Sequence, residues 1–96
     1  MQKKRLIIYR TVIGSELSST LPEYEIIGRE VFRTLYHPDG FSLLPDYTLD
    51  KNRLFRTTYH EMGLSVFPDY EIRDERLYRT FHHFLGFTEI PDFEIR

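Results

Sequence analysis

Arg76-Leu77-Tyr78-Arg79-Thr80, with Pro91-Asp92-Phe93-Glu94-Ile95 starting twelve residues after Arg79, is the stretch whose reading decides the fold. Both phrases occur four times. The ring before the arginine is Tyr9, Phe32, Phe55 and Tyr78, and the pair that follows is Arg10-Thr11, Arg33-Thr34, Arg56-Thr57 and Arg79-Thr80. The later proline is Pro22, Pro45, Pro68 and Pro91. Each is followed by an acid (Glu23, Asp46, Asp69, Asp92) and then a ring (Tyr24, Tyr47, Tyr70, Phe93). Every series advances by 23, so the chain divides into four units, 5–27, 28–50, 51–73 and 74–96, behind a lead of four residues. A fixed internal period is the mark of a repeat architecture and has to be read before anything else.

Within a unit the signals are those of β structure. Arg53-Leu54-Phe55-Arg56-Thr57-Thr58-Tyr59 is rich in aromatic and β-branched residues and lacks helical spacing, which predicts a strand. His60-Glu61-Met62-Gly63 ends on a glycine shared with Gly40 and Gly86, as expected of a tight turn whose last residue needs a positive φ. Leu64-Ser65-Val66-Phe67 alternates and is expected to be extended, Pro68-Asp69 to interrupt it, and Tyr70-Glu71-Ile72-Arg73 to resume it. Two residues then separate one unit's last strand from the next unit's first: Gly28-Arg29, Lys51-Asn52 and Asp74-Glu75. Gly28 and Asn52 suit the positive φ of a two-residue hairpin, whereas Asp74-Glu75 predicts a longer loop. A two-residue hairpin would set Ile72 opposite Leu77 and Tyr70 opposite Arg79, with rings on both faces of the sheet.

The expected fold is therefore all-β. Four tandem 23-residue β-hairpin-like repeats form an antiparallel meander of about eight strands, in a single domain spanning 1–96. The last strand, ending in Phe93 and Ile95, has no hairpin partner after it, and an unpaired apolar edge is a liability. Pairing it with Ile7-Ile8-Tyr9-Arg10 closes a small pseudo-fourfold barrel, for which eight strands suffice. The alternatives are an open sheet or a short β-solenoid, with that edge left to pair with another chain. Unit one departs from the others, carrying Gly14-Ser15-Glu16-Leu17 where they have a histidine and then a glycine.

Composition narrows the function classes. A net charge of −2 makes a nucleic-acid partner unlikely, since that needs a basic face. Without cysteine there is no disulfide framework and no thiolate metal site. No stretch approaches the roughly 20 apolar residues of a membrane helix, so no membrane partner is expected and the chain is read as cytoplasmic. No Ser-His-acid set, glycine-rich phosphate loop or metalloprotease helix motif is present, so the chain is not expected to be an enzyme and no cofactor is implied.

Three columns remain as candidate sites. Arg10, Arg33, Arg56 and Arg79 each precede an acid by 13 residues and are read as a ladder of ion pairs that sets register. The competing reading, an anion-binding row, is weakened by those acids. His37, His60 and His83 share a repeat position and are read as turn residues, with metal binding as the competing role. Tyr47 and Tyr70 belong to the ring column, read as core, with stacking on sugar faces as the alternative. The leading functional expectation is a non-catalytic module for protein–protein interaction or self-association, because repeated patches add through multivalency. A carbohydrate-binding repeat protein is second and a metal-binding protein using the histidines is third.

Overall fold

The computed structural model describes residues 5–11 and 18–96, the side chains of 18–20 excepted. The lead residues and the divergent segment Gly14–Leu17 of unit one lie outside the described residues. Eight strands are formed: β1 Arg5–Thr11, β2 Ser18–Ile27, β3 Glu30–Arg33, β4 Tyr47–Asp50, β5 Arg53–Arg56, β6 Pro68–Arg73, β7 Arg76–Arg79 and β8 Phe93–Ile95. Each pairs antiparallel with the next, and β8 returns to β1, giving a closed barrel. The closing contacts set Ile8 opposite Ile95, Tyr9 opposite Glu94 and Arg10 opposite Phe93. Closure therefore prevails over the open sheet and the solenoid, and the apolar last strand is covered within the chain.

The hairpin turns follow the two-residue pattern throughout. Ile27 faces Glu30, Asp50 faces Arg53 and Arg73 faces Arg76. The longer loop expected at Asp74-Glu75 does not occur: Asp74 and Glu75 take φ of 51° and 63°, as Lys51 and Asn52 take 50° and 65°. Paired left-handed residues match the twist of the flanking strands, and the fit of the strands on either side holds even an Asp-Glu pair in that conformation. Tyr70 faces Arg79 and Ile72 faces Leu77, as the two-residue reading requires.

The strands are shorter than their composition suggests. Thr57 to Tyr59 and Leu64 to Phe67, expected to be extended, are loop. The reason is local competition from hydroxyls. Thr57 Oγ1 donates to the Pro45 carbonyl at 2.5 Å and accepts from the Tyr59 amide at 3.1 Å, which curls the chain. Two turns follow end to end: the His60 amide donates to Thr57 O at 3.2 Å and the Gly63 amide to His60 O at 2.8 Å. Gly63 takes the expected positive φ, 83°. Ser65 Oγ then bridges the amide and carbonyl of Phe67.

The barrel interior is filled by three kinds of side chain. Ile8, Val31, Leu54 and Leu77 are at most 1% exposed, and the register sets each between an aliphatic neighbour (Ile95, Ile26, Leu49, Ile72) and a ring (Tyr24, Tyr47, Tyr70, Phe93). Eight strands leave an interior that such side chains can fill. Outside, Arg73 lies over the Tyr78 ring at 4.1 Å and Arg96 over Tyr9 at 4.7 Å, which accounts for rings on the outer face.

The strain at the third hairpin is removable. Both residues are exposed, and among the described residues their side chains make no hydrogen bond or ion pair. Replacing Asp74-Glu75 by Asn-Gly is expected to stabilise the fold by about 1 kcal/mol, read as a higher denaturant midpoint with unchanged slope. An unchanged or lower midpoint would count against a strained turn.

Candidate functional site

The site grows from a break in strand alternation. Asp69 and Tyr70 are consecutive and both buried, at 2% and 7% exposure, which a regular strand cannot manage. A bulge makes it possible: Leu54 faces Tyr70, yet the next residue, Phe55, faces Pro68, so Asp69 is extra. The same step occurs in β2, where Ile8 faces Tyr24 and Tyr9 faces Pro22, leaving Glu23 extra. The proline has no amide to lose from the ladder, so the bulge disrupts little there.

An acid turned inward needs a cation, and the arginine column supplies it. Arg10 meets Glu23 at 2.6 Å, Arg33 meets Asp46 at 3.3 Å, Arg56 meets Asp69 at 3.7 Å and Arg79 meets Asp92 at 2.9 Å. The first and last are bidentate hydrogen bonds. The middle two are looser; Arg33 Nε, Arg56 Nε and Asp69 Oδ1 are buried without a hydrogen-bond partner among the described residues. Burial pushes the Asp46 and Asp69 carboxyls above their ordinary range, against the pull of Arg33 and Arg56. Burial alone would lower Arg10, but the hydrogen bond and charge of Glu23 outweigh it and the guanidinium rises. The four arginines are thus brought to one end of the barrel, each beside its acid, in the arrangement of the register ladder.

The threonine after each arginine ties neighbouring units together. Thr34 Oγ1 donates to Pro22 O and Thr57 Oγ1 to Pro45 O, both at 2.5 Å, and Thr80 Oγ1 to Pro68 O. Thr11 closes the circle on Pro91 O at 2.5 Å, across 80 residues of chain.

The ring column forms a floor at this end. Tyr24–Tyr47 and Tyr47–Tyr70 lie 6.0 Å apart, Tyr70–Phe93 5.6 Å and Phe93–Tyr24 5.5 Å, all edge to face. That geometry suits the ring quadrupoles. Tyr47 and Tyr70 are therefore packed within the core, 5% and 7% exposed, with their faces against other rings rather than offered to solvent. Burial raises the phenol pKa of Tyr24, Tyr47 and Tyr70.

Each histidine reaches a tyrosine of the preceding unit. His37 Nε2 lies 2.9 Å from Tyr24 Oη, His60 Nε2 3.2 Å from Tyr47 Oη and His83 Nε2 3.1 Å from Tyr70 Oη. Each Nδ1 accepts a backbone amide two residues on, from Asp39, Met62 and Leu85, at 3.0 Å. An amide can only donate, so Nδ1 is bare and Nε2 carries the proton. Both nitrogens are used, and no group of three or more metal-ligating side chains forms among the described residues. Burial lowers the pKa of all three histidines.

The Tyr–His pairing goes beyond what the columns suggest singly, yet the sequence holds a signal for it. Unit one has Gly14 in place of the histidine, and unit four has Phe93 in place of the tyrosine. The unit without the histidine is the first and the unit without the tyrosine is the last, so each column holds three members. Arg10 lies over the Phe93 ring instead, at 4.7 Å. Above the floor is a cavity of about 410 Å³ lined by the tyrosine, histidine and arginine columns and by loop residues such as Tyr59 and Phe84. Compared with known proteins, the chain matches no family model, no curated protein and no solved structure.

Two outcomes follow from this geometry. Arg56→Met leaves Asp69 buried without its cation and is expected to cost about 2–4 kcal/mol in a denaturant titration, against under about 0.5 for exposed Arg53→Met. Arg56→Met combined with Asp69→Leu should cost less than the sum of the singles, and strict additivity would show that the two do not interact. The histidines set a pH dependence. Their folded pKa values lie below 6.5, so the unfolded chain takes up protons first as pH falls through 6.5. Stability is then highest above 6.5 and falls until the folded pKa values are reached, by at most about 4 kcal/mol per pH unit for three protons. The raised Asp46 and Asp69 act in the opposite direction, nearer to 3.8. Thermal melts at pH 7.5 and 5.5 with equal midpoints would contradict the histidine assignment.

Proposed function

We propose that this chain is a non-catalytic binding and assembly module whose loop end docks on apolar protein surface, its own copies included. The observation that carries this reading is where the exposed apolar side chains sit. Of the sixteen large apolar side chains exposed among the described residues, all but Leu21 lie in the segments 35–44, 59–67 and 81–90. Each segment joins the threonine end of one strand to the proline start of the next, so all three leave the barrel at the same end, opposite the hairpin turns. Leu43, Val66 and Phe81 are 80%, 78% and 81% exposed. Large apolar side chains gathered at one end in this number are uncommon on a protein that works alone.

The non-catalytic part rests on the state of the polar side chains. The column acids are held by arginines and the column histidines use both ring nitrogens, so these groups are committed to structure. Association through a free strand edge, the alternative to closure, is closed off because β8 is paired to β1. The surface available for association is the loop end instead, where related patches on successive units add their contacts.

Light scattering over a concentration series tests this. The wild-type chain is expected to associate as concentration rises, and Leu43→Glu/Val66→Glu/Phe81→Glu to shift it to monomer with little change in melting temperature, because the three positions are solvent-facing. A wild-type chain that stays monomeric and binds a hydrophobic dye no better than the triple variant would retire the reading.

A further inference from the structure

Tyr24, Tyr47 and Tyr70 are at least nine-tenths buried, yet their hydroxyl protons are not spoken for. The histidine tautomer requires it: Nε2 donates to each phenol oxygen, so that oxygen accepts and its own proton must find another acceptor. Tyr70 has Asp92 Oδ2 at 3.5 Å, the outer limit of a hydrogen bond. Tyr24 and Tyr47 have none among the described residues. Buried donors left unmatched are costly, and a group that faces a cavity is matched by what enters it.

All three tyrosines line the 410 Å³ cavity at the loop end, together with the half-exposed Arg10 and the carboxylates of Asp46 and Asp92. We propose that this cavity is a binding site for a neutral, hydroxyl-rich small molecule of mono- or disaccharide size. The phenol protons and the Arg10 guanidinium donate to ligand oxygens, and Asp46 and Asp92 accept from ligand hydroxyls. Charge decides against an anionic ligand. Asp46 and Asp92 are already balanced by Arg33 and Arg79, and Asp39 and Glu61 at the lining disfavour an anion. Tyr59 and Phe84, both exposed and both lining the cavity, supply ring faces for the apolar side of a sugar. The volume lies within the usual range of small-molecule sites, roughly 300–1,000 Å³. This is one axial site, whose rim shares Tyr59 and Phe84 with the apolar loop surface.

The test is calorimetric titration of the whole chain with glucose, galactose, mannose and myo-inositol, with phosphate and sulfate as charged probes. At least one neutral probe is expected to bind saturably. Tyr47→Phe removes one hydroxyl and is expected to fold, because Phe93 already serves at the equivalent place in the ring. It should weaken that binding about tenfold, the worth of one hydrogen bond, with the melting temperature little changed. Tyr24→Phe is a second, independent removal and should act alike if Tyr47→Phe fails to fold. Failure of every neutral probe to saturate, binding of phosphate or sulfate alone, or undiminished affinity in the folded variant would each overturn the proposal.

Discussion

A carboxylate turned into a barrel is tolerable only beside a cation, and that requirement organises this molecule. Proline before the acid permits a bulge, the bulge swings Glu23 or Asp69 inward, and the arginine 13 residues earlier meets it. The following ring is then also inward, which is how two consecutive buried residues arise in one strand. The threonine next to the arginine donates to the proline carbonyl of the preceding unit. One short motif thereby specifies a bend, an ion pair, a core ring and a link to its neighbour.

The same arrangement sorts the barrel into two unlike ends. Tight hairpin turns with left-handed residues close one end. At the other, the chain leaves the sheet for the long segments of paired turns, which carry all but one of the large apolar side chains exposed among the described residues. Arginine–acid pairs and histidine–tyrosine pairs surround the aromatic floor at that end. That end therefore combines an apolar rim with a cavity lined by hydrogen-bonding groups.

Much of this was legible in the residues, because the determinants are short-range. The 23-residue period marks where strands begin, where Gly40, Gly63 and Gly86 turn the chain, and which columns recur. Arginine and acid at constant separation announce an ion-pair ladder. Other features were hidden for physical reasons. Asp74-Glu75 looks like a poor hairpin turn by propensity, and the pairing of Tyr70 with Arg79 overrides it. Leu64-Ser65-Val66-Phe67 looks like a strand, but the Ser65 hydroxyl claims the Phe67 amide first. Tyr47 and Tyr70 were legible as core rings, but their edge-to-face contacts around one axis were not.

The sequence by itself determined the β class, the strand–turn alternation and the columns from which core and ion pairs are drawn, since each depends on residues a few positions apart. Tertiary structure alone decided that the last strand would return to the first, so that Thr11 finds Pro91 and Arg10 finds the Phe93 ring. That outcome depends on curvature summed over all eight strands, a quantity no single unit carries. It also decided that the tyrosines would meet at one axis beneath the histidines, because a shared position becomes a shared place only when the sheet has closed.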